Sequence, residues 1–258
     1  MGHIRLPHLP RTKRWQEVVD LVGGGGGSAA AVASATLDAI DESFASGADD
    51  AGLVRAVWLL AKLPDAAKSG NFAAALRDLG VNVSANPSIA EVTAAISDAV
   101  DSYLGGARRQ RSDVGEMALG AAVEALSKNL EQRTTSLFPE ADDVRRAIDK
   151  LGTEVQFGRL ARDFFARFTE RSLKYYVDRE LPRHVGADRR FQTLADQKEF
   201  SRALELHCQQ AAKIVEAFAG GWWSKARFEK DLSEERTARF VSYALKKMRD
   251  ELRKGAVG

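Results

Sequence analysis

The chain has 258 residues, 45% of them hydrophobic and 29% charged, with a formal net charge of +2 and one cysteine, Cys208. That length builds a core without covalent staples, and a lone cysteine excludes an intramolecular disulfide and a four-cysteine zinc site. No stretch approaches the roughly 20 consecutive apolar residues of a membrane span, and the opening residues lack the apolar run of a signal peptide, so the composition predicts a soluble cytoplasmic protein with no membrane partner.

The chain opens with Pro7 and Pro10, which predict an extended arm up to about Arg11. Thr12 is placed to cap a short helix with Trp15, Val18 and Val22 on one side. Gly23–Gly27 then interrupts the chain. Ordering five glycines is entropically costly, so the run reads as a flexible hinge. A Walker-type phosphate loop is disfavoured, because Ser28-Ala29 follows the glycines instead of a Lys-Ser/Thr pair. Residues 1–27 are therefore expected to form an arm whose Trp15, Val18 and Val22 dock in a groove of another subunit.

Residues 28–104 read as an alanine-rich helical subdomain. Ser28 caps a helix that Gly47 stops. Asp49 or Asp50 starts a second helix, carrying Leu53, Val57 and Leu60, that Pro64 ends. A short helix around Phe72–Leu79 stops at Gly80, and Ser88 with Glu91 forms a capping box for a helix reaching Tyr103. The linker at 107–111 holds Arg108, Arg109 and Arg111.

Residues 112–258 read as a basic helical subdomain packed on the first. Residues 1–107 carry 8 basic and 12 acidic side chains, against 30 and 24 in the remainder, so any anion-seeking surface belongs to this part. A helix starts near Ser112, another at Pro139. Next comes an aromatic helix with Phe157, Phe164, Phe165, Phe168 and Tyr176 among Arg159, Arg162, Arg167, Arg171 and Lys174. Asp163–Arg167 and Glu170–Lys174 stand in the favourable order for helical ion pairs. A long helix from Thr193 is expected to stop at Gly220-Gly221, and the last begins at Ser233. Nothing alternates with period two over a useful length. The fold class is all-α: an irregular bundle of about eight to ten helices behind an extended arm.

Three constellations bear on function. Arg108, Arg109, Arg111, Arg183, Arg189 and Arg190 are candidates for contact with an anion or nucleic acid, the last three lying in the charged loop 179–190. Trp222-Trp223 follows two glycines. One indole is expected to be buried and the other partly exposed, as a candidate partner contact. His184, Glu205 and His207 can be drawn as an active or metal site, but their spacing matches no ligand motif, and adjacent His207-Cys208 points two ways on a helix. No catalytic, metal or cofactor signature is present. The leading expectation is a non-enzymatic interaction subunit of a bacterial-type cytoplasmic complex, such as a phage-defence system, with other protein subunits as partners. The alternatives are a nucleic-acid-binding accessory factor and an enzyme with a site assembled from distant residues.

Overall fold

Thr12, Ser28, Asp50, Ser112, Thr193 and Ser233 each place a side-chain oxygen on a backbone amide of the helix that follows, satisfying one of the donors a helix start leaves open. The computed structural model describes residues 12–24, 26–106, 111–134 and 140–255. The helices are α1 (Lys13–Gly23), α2 (Ala29–Ala39), α3 (Asp41–Ser46), α4 (Ala51–Ala67), α5 (Phe72–Asp78), α6 (Ile89–Leu104), α7 (Asp113–Glu131), α8 (Ala141–Asp149), α9 (Glu154–Val177), α10 (Leu194–Ala211), α11 (Lys213–Phe228) and α12 (Glu234–Lys254). Short 3₁₀ turns cover Gly47–Asp49 and Leu181–His184. The described residues contain no strand; an isolated bridge pairs Val185 with Phe191. The fold is thus all-α. The arm expected up to Arg11 and the helix start expected at Pro139 lie outside the described residues.

The aromatic helix α9 is the hub, packed against α7, α10 and α11. Phe157, Phe164, Phe165, Phe168 and Tyr176 are all buried. Phe157 stacks on Trp223 at 5.2 Å, and Phe164 meets Phe165 edge-on at 5.0 Å. Each large apolar side chain buried this way stabilises the fold by about 1.5–3 kcal/mol. The cations of α9 turn to neighbouring helices: Arg167 and Arg171 pair with Glu124 of α7, and Arg159 and Arg162 with Glu216 of α11. Of the two ion pairs expected along α9, Glu170–Lys174 forms. Asp163 instead accepts from Asn129 and pairs with Lys128, both brought alongside by α7, and with its chain neighbour Arg162.

Three boundaries differ from expectation. The first helix after the glycines breaks at Ile40, well before Gly47. Pro64 lies inside the last turn of α4, leaving the Leu60 carbonyl without its helical donor, and the helix runs only three residues further. The largest difference concerns Gly220-Gly221, which sits inside α11, while the chain bends at Ala212. Gly220 is where α11 crosses the start of α9. A Cβ there would lie 2.8 Å from the Glu154 carbonyl carbon, and one on Gly158 would lie 3.0 Å from the Glu216 carbonyl oxygen. Two glycines let the backbones touch, and that packing overrides their poor helix propensity.

One apolar core runs from Trp15 to Leu252, shared by helices of 28–104 and 112–258. The Trp223 Nε1–H donates to the Ala61 carbonyl at 2.9 Å. Arg227 pairs with Asp65, and Arg249 with Asp41. Arg55 of α4 bonds Glu234 at the start of α12 and lies over the rings of Trp58 and Tyr103.

Candidate docking site

The arm helix does not reach for another molecule. Trp15 is 6% exposed, Val18 and Val22 not at all; α1 lies on α2, and Trp15 packs 6.1 Å from the Tyr176 ring. The docking role expected for these three residues is corrected: their partner is this chain's own core. The glycine run, expected as a hinge, is bridged where described by the Arg190 side chain. Arg190 Nη1 donates to the Leu21 and Val22 carbonyls at 2.5 and 3.2 Å, and Nη2 donates to the Gly27 carbonyl. Gly27 is needed for close approach, since a Cβ would stand 2.5 Å from the Leu21 carbonyl oxygen. The ring of His184 lies against Gly23.

Arg190 is therefore removed from the expected anion-binding set. Its guanidinium closes the C-terminus of α1, where carbonyls lack helical donors. It is flanked by Phe191 and Phe200, and burial lowers its pKa from the usual arginine range. Arg183 is bound to the buried carboxylate of Glu180 at 3.1 Å, and Arg111 pairs with Asp101 at 3.2 Å. Arg189 is exposed. Arg108 and Arg109 lie outside the described residues. Among the described candidates, Arg111 and Arg183 have carboxylate partners at the surface, Arg189 is exposed, and Arg190 alone is turned inward.

The distant-residue site does not assemble either. His184 sits beside the end of α1, whereas the His207 Nε2 faces the Leu252 carbonyl near the end of α12. No group of three His, Cys, Asp or Glu side chains suited to a metal ion occurs among the described residues. Cys208 is fully buried, and burial, reinforced by the Glu170 carboxylate, pushes its thiol far above the usual range. Thiolate is the reacting form, so native protein is expected to resist a thiol reagent such as Ellman's, with labelling tracking global unfolding in urea. Fast labelling of the folded chain would contradict this burial.

What the structure does leave open is a groove of about 450 Å³ between α11 and α12, lined by Phe218, Trp222, Lys225, Glu229, Arg236, Arg239, Phe240 and Tyr243. The two consecutive helices form a hairpin that sets Trp222 against Phe240, stacked at 4.0 Å, and Phe218 edge-on to Tyr243 at 4.9 Å. As expected, one indole is buried and one partly exposed: Trp223 faces the core and Trp222 the groove. Residues one apart on a helix point about 100° away from each other. Tyr243 is 48% exposed, and Phe228, at the end of α11, is 90% exposed. None of Phe218, Phe228 and Tyr243 is singled out by the sequence as a contact residue. The signal was present in the spacing of Phe218, Gly221, Trp222 and Lys225 at i, i+3, i+4 and i+7, but it appears only once the helix is carried through the glycines.

No helix among the described residues is long and apolar enough to cross a membrane. In comparisons with known proteins, the chain matches no family model, no curated protein and no solved structure.

Proposed function

We propose that this chain acts by binding, as a helical subunit of a cytoplasmic protein assembly, and that the α11–α12 groove is where a protein partner seats. The observation that carries this reading is the open aromatic groove itself, with Tyr243 half-exposed in its wall, and Phe228 almost fully exposed at the end of α11. Solvent-facing aromatics beside a formed concavity are typical of binding hot spots. The single cysteine, a free thiol, suits a reducing compartment.

The test is purification of tagged full-length chain from its native cells, with and without nuclease, beside the double variant Phe228→Glu, Tyr243→Glu. Both positions are exposed, so circular dichroism and the melting curve should be unchanged. A protein partner is expected to co-purify in fixed stoichiometry, to survive nuclease, and to fall at least about tenfold with the double variant. Undiminished recovery with the variant, or loss of the partner on nuclease treatment, would overturn the proposal.

A further inference from the structure

We infer that the face shared by the end of α7 and the first half of α9 is an anion site, and that its ligand is a phosphate group. Two helices deliver the cations. Lys128 comes from α7 and Arg133 from the turn just beyond it, while Arg159 and Arg162 stand three apart on α9. The arrangement follows from how α7 ends. Arg133 folds back so that its Nη1 donates to the Asn129 carbonyl at 2.5 Å and to Asn129 Oδ1 at 3.1 Å, satisfying an acceptor that a helix end leaves open. Its Nη2 donates to Gln156 Oε1. Gln156 and Arg159 are three apart on α9, so their side chains share a face. Arg133 is thereby held beside a second guanidinium.

The carboxylates in contact do not balance these charges. Asp163, 8% exposed, accepts from Asn129 and pairs with Lys128 at 3.4 Å and Arg162 at 3.3 Å. Glu216 of α11 accepts from Arg162 at 2.6 Å. Its contact with Arg159 is 3.7 Å, too long for a hydrogen bond, and the Arg159 guanidinium makes none among the described residues. Arg133 bonds only neutral oxygens. Glu131 and Glu154, on the adjoining turns, are exposed and join no ion pair among the described residues. Four cations thus share two carboxylates, and the excess falls on Arg133 and Arg159. Burial and the nearby Arg159 charge hold the Arg133 pKa below the usual arginine range, with Asp163 opposing them. Like charges so placed repel each other, and an anion beside both removes that repulsion.

The size of the excess selects the ligand. A phosphate group carries about −1.5 to −2 at neutral pH, which matches two uncompensated cations better than one carboxylate does. Guanidinium groups suit phosphate oxygens. Arg159 is 51% exposed, so a ligand reaches it from solvent. A nucleic-acid backbone needs a continuous run of cations. Here the next cations along α9, Arg167 and Arg171, are taken by Glu124, which favours an isolated phosphate group.

The test titrates the full chain by calorimetry, at constant ionic strength, with inorganic phosphate, phenyl phosphate, acetate and a single-stranded oligothymidylate. One phosphate group per chain is expected, bound at least about tenfold more tightly than acetate. The tighter of the first two probes tells free phosphate from a monoester. Phenyl phosphate should bind more weakly as the pH falls through about 6, where a monoester loses its second charge. Arg159→Gln should fold normally, because the guanidinium it removes makes no hydrogen bond, and should lose at least about tenfold in phosphate affinity, the value of one charge-assisted bond. Arg239→Gln, in the α11–α12 groove, should bind phosphate as the unaltered chain does. Phosphate binding no tighter than acetate, or undiminished in Arg159→Gln, would overturn the site. Oligothymidylate binding tighter than either phosphate probe and lost in Arg159→Gln would overturn the isolated-phosphate assignment in favour of nucleic acid.

Discussion

Replacing Gly220 with alanine is expected to destabilise the chain by roughly 3 kcal/mol, whereas the same change at Gly221 is expected to stabilise it by up to about 1 kcal/mol. Both glycines occupy the middle of α11 and have the same intrinsic helix propensity. They differ only in what a methyl group would meet. At Gly220 it overlaps the backbone of Glu154, in the first turn of α9. Backbone cannot rotate out of the way as a side chain can, so α11 must shift off the hub helix and loosen the Trp223–Phe157 stack. At Gly221 it enters open space, and the only change is the lower conformational entropy of the unfolded chain. Urea denaturation of the two variants reads the difference directly as midpoints displaced in opposite directions. Midpoints displaced equally would mean that α11 does not cross α9 at Gly220.

These glycines also show where sequence reasoning stops. Local signals were legible: Thr12 and Ser28 cap the helices they were expected to cap, and Asp50, Ser112, Thr193 and Ser233 cap helices expected to start at or beside them, because a cap bonds within three residues. The aromatic stripe of α9 was legible for the same reason, since helical periodicity is local. Gly220-Gly221 was misread as a stop because its value in the fold lies in contact with Glu154, far away in sequence. The candidate groove was half legible. The Trp222-Trp223 pair could be singled out as indoles that do not face the core together, but not which of the two is exposed. Phe218 and Tyr243 become neighbours only through the register of the α11–α12 hairpin. The basic candidates failed differently: a sequence shows that Arg183 and Arg111 are charged, but not that Glu180 and Asp101 fold against them.

Arg190→Met is expected to detach α1 while most of the remaining core persists. The guanidinium donates to three carbonyls, two in the last turn of α1 and one at Gly27 across the glycine turn. The three acceptors are separated from it by 169, 168 and 163 residues of chain. A methionine keeps much of the apolar contact with Phe191 and Phe200 but offers no donor. The freed carbonyls are partly buried, and each loses a charge-assisted bond, worth about 1.5–3 kcal/mol where measured. Because part of this returns through hydration once α1 opens, a net loss of about 3 kcal/mol is expected, localised to α1. Hydrogen exchange tests the localisation: amides of α1 should lose about 100-fold in protection, as 3 kcal/mol implies, while those of α9 change far less. Proteolysis should accelerate at the glycine run. Arg190→Lys should rescue only part of the loss, since one ammonium cannot span acceptors that a planar fork reaches together. Unchanged α1 protection in Arg190→Met would show that Trp15, Val18 and Val22 hold the helix by themselves and that the arginine clamp contributes nothing.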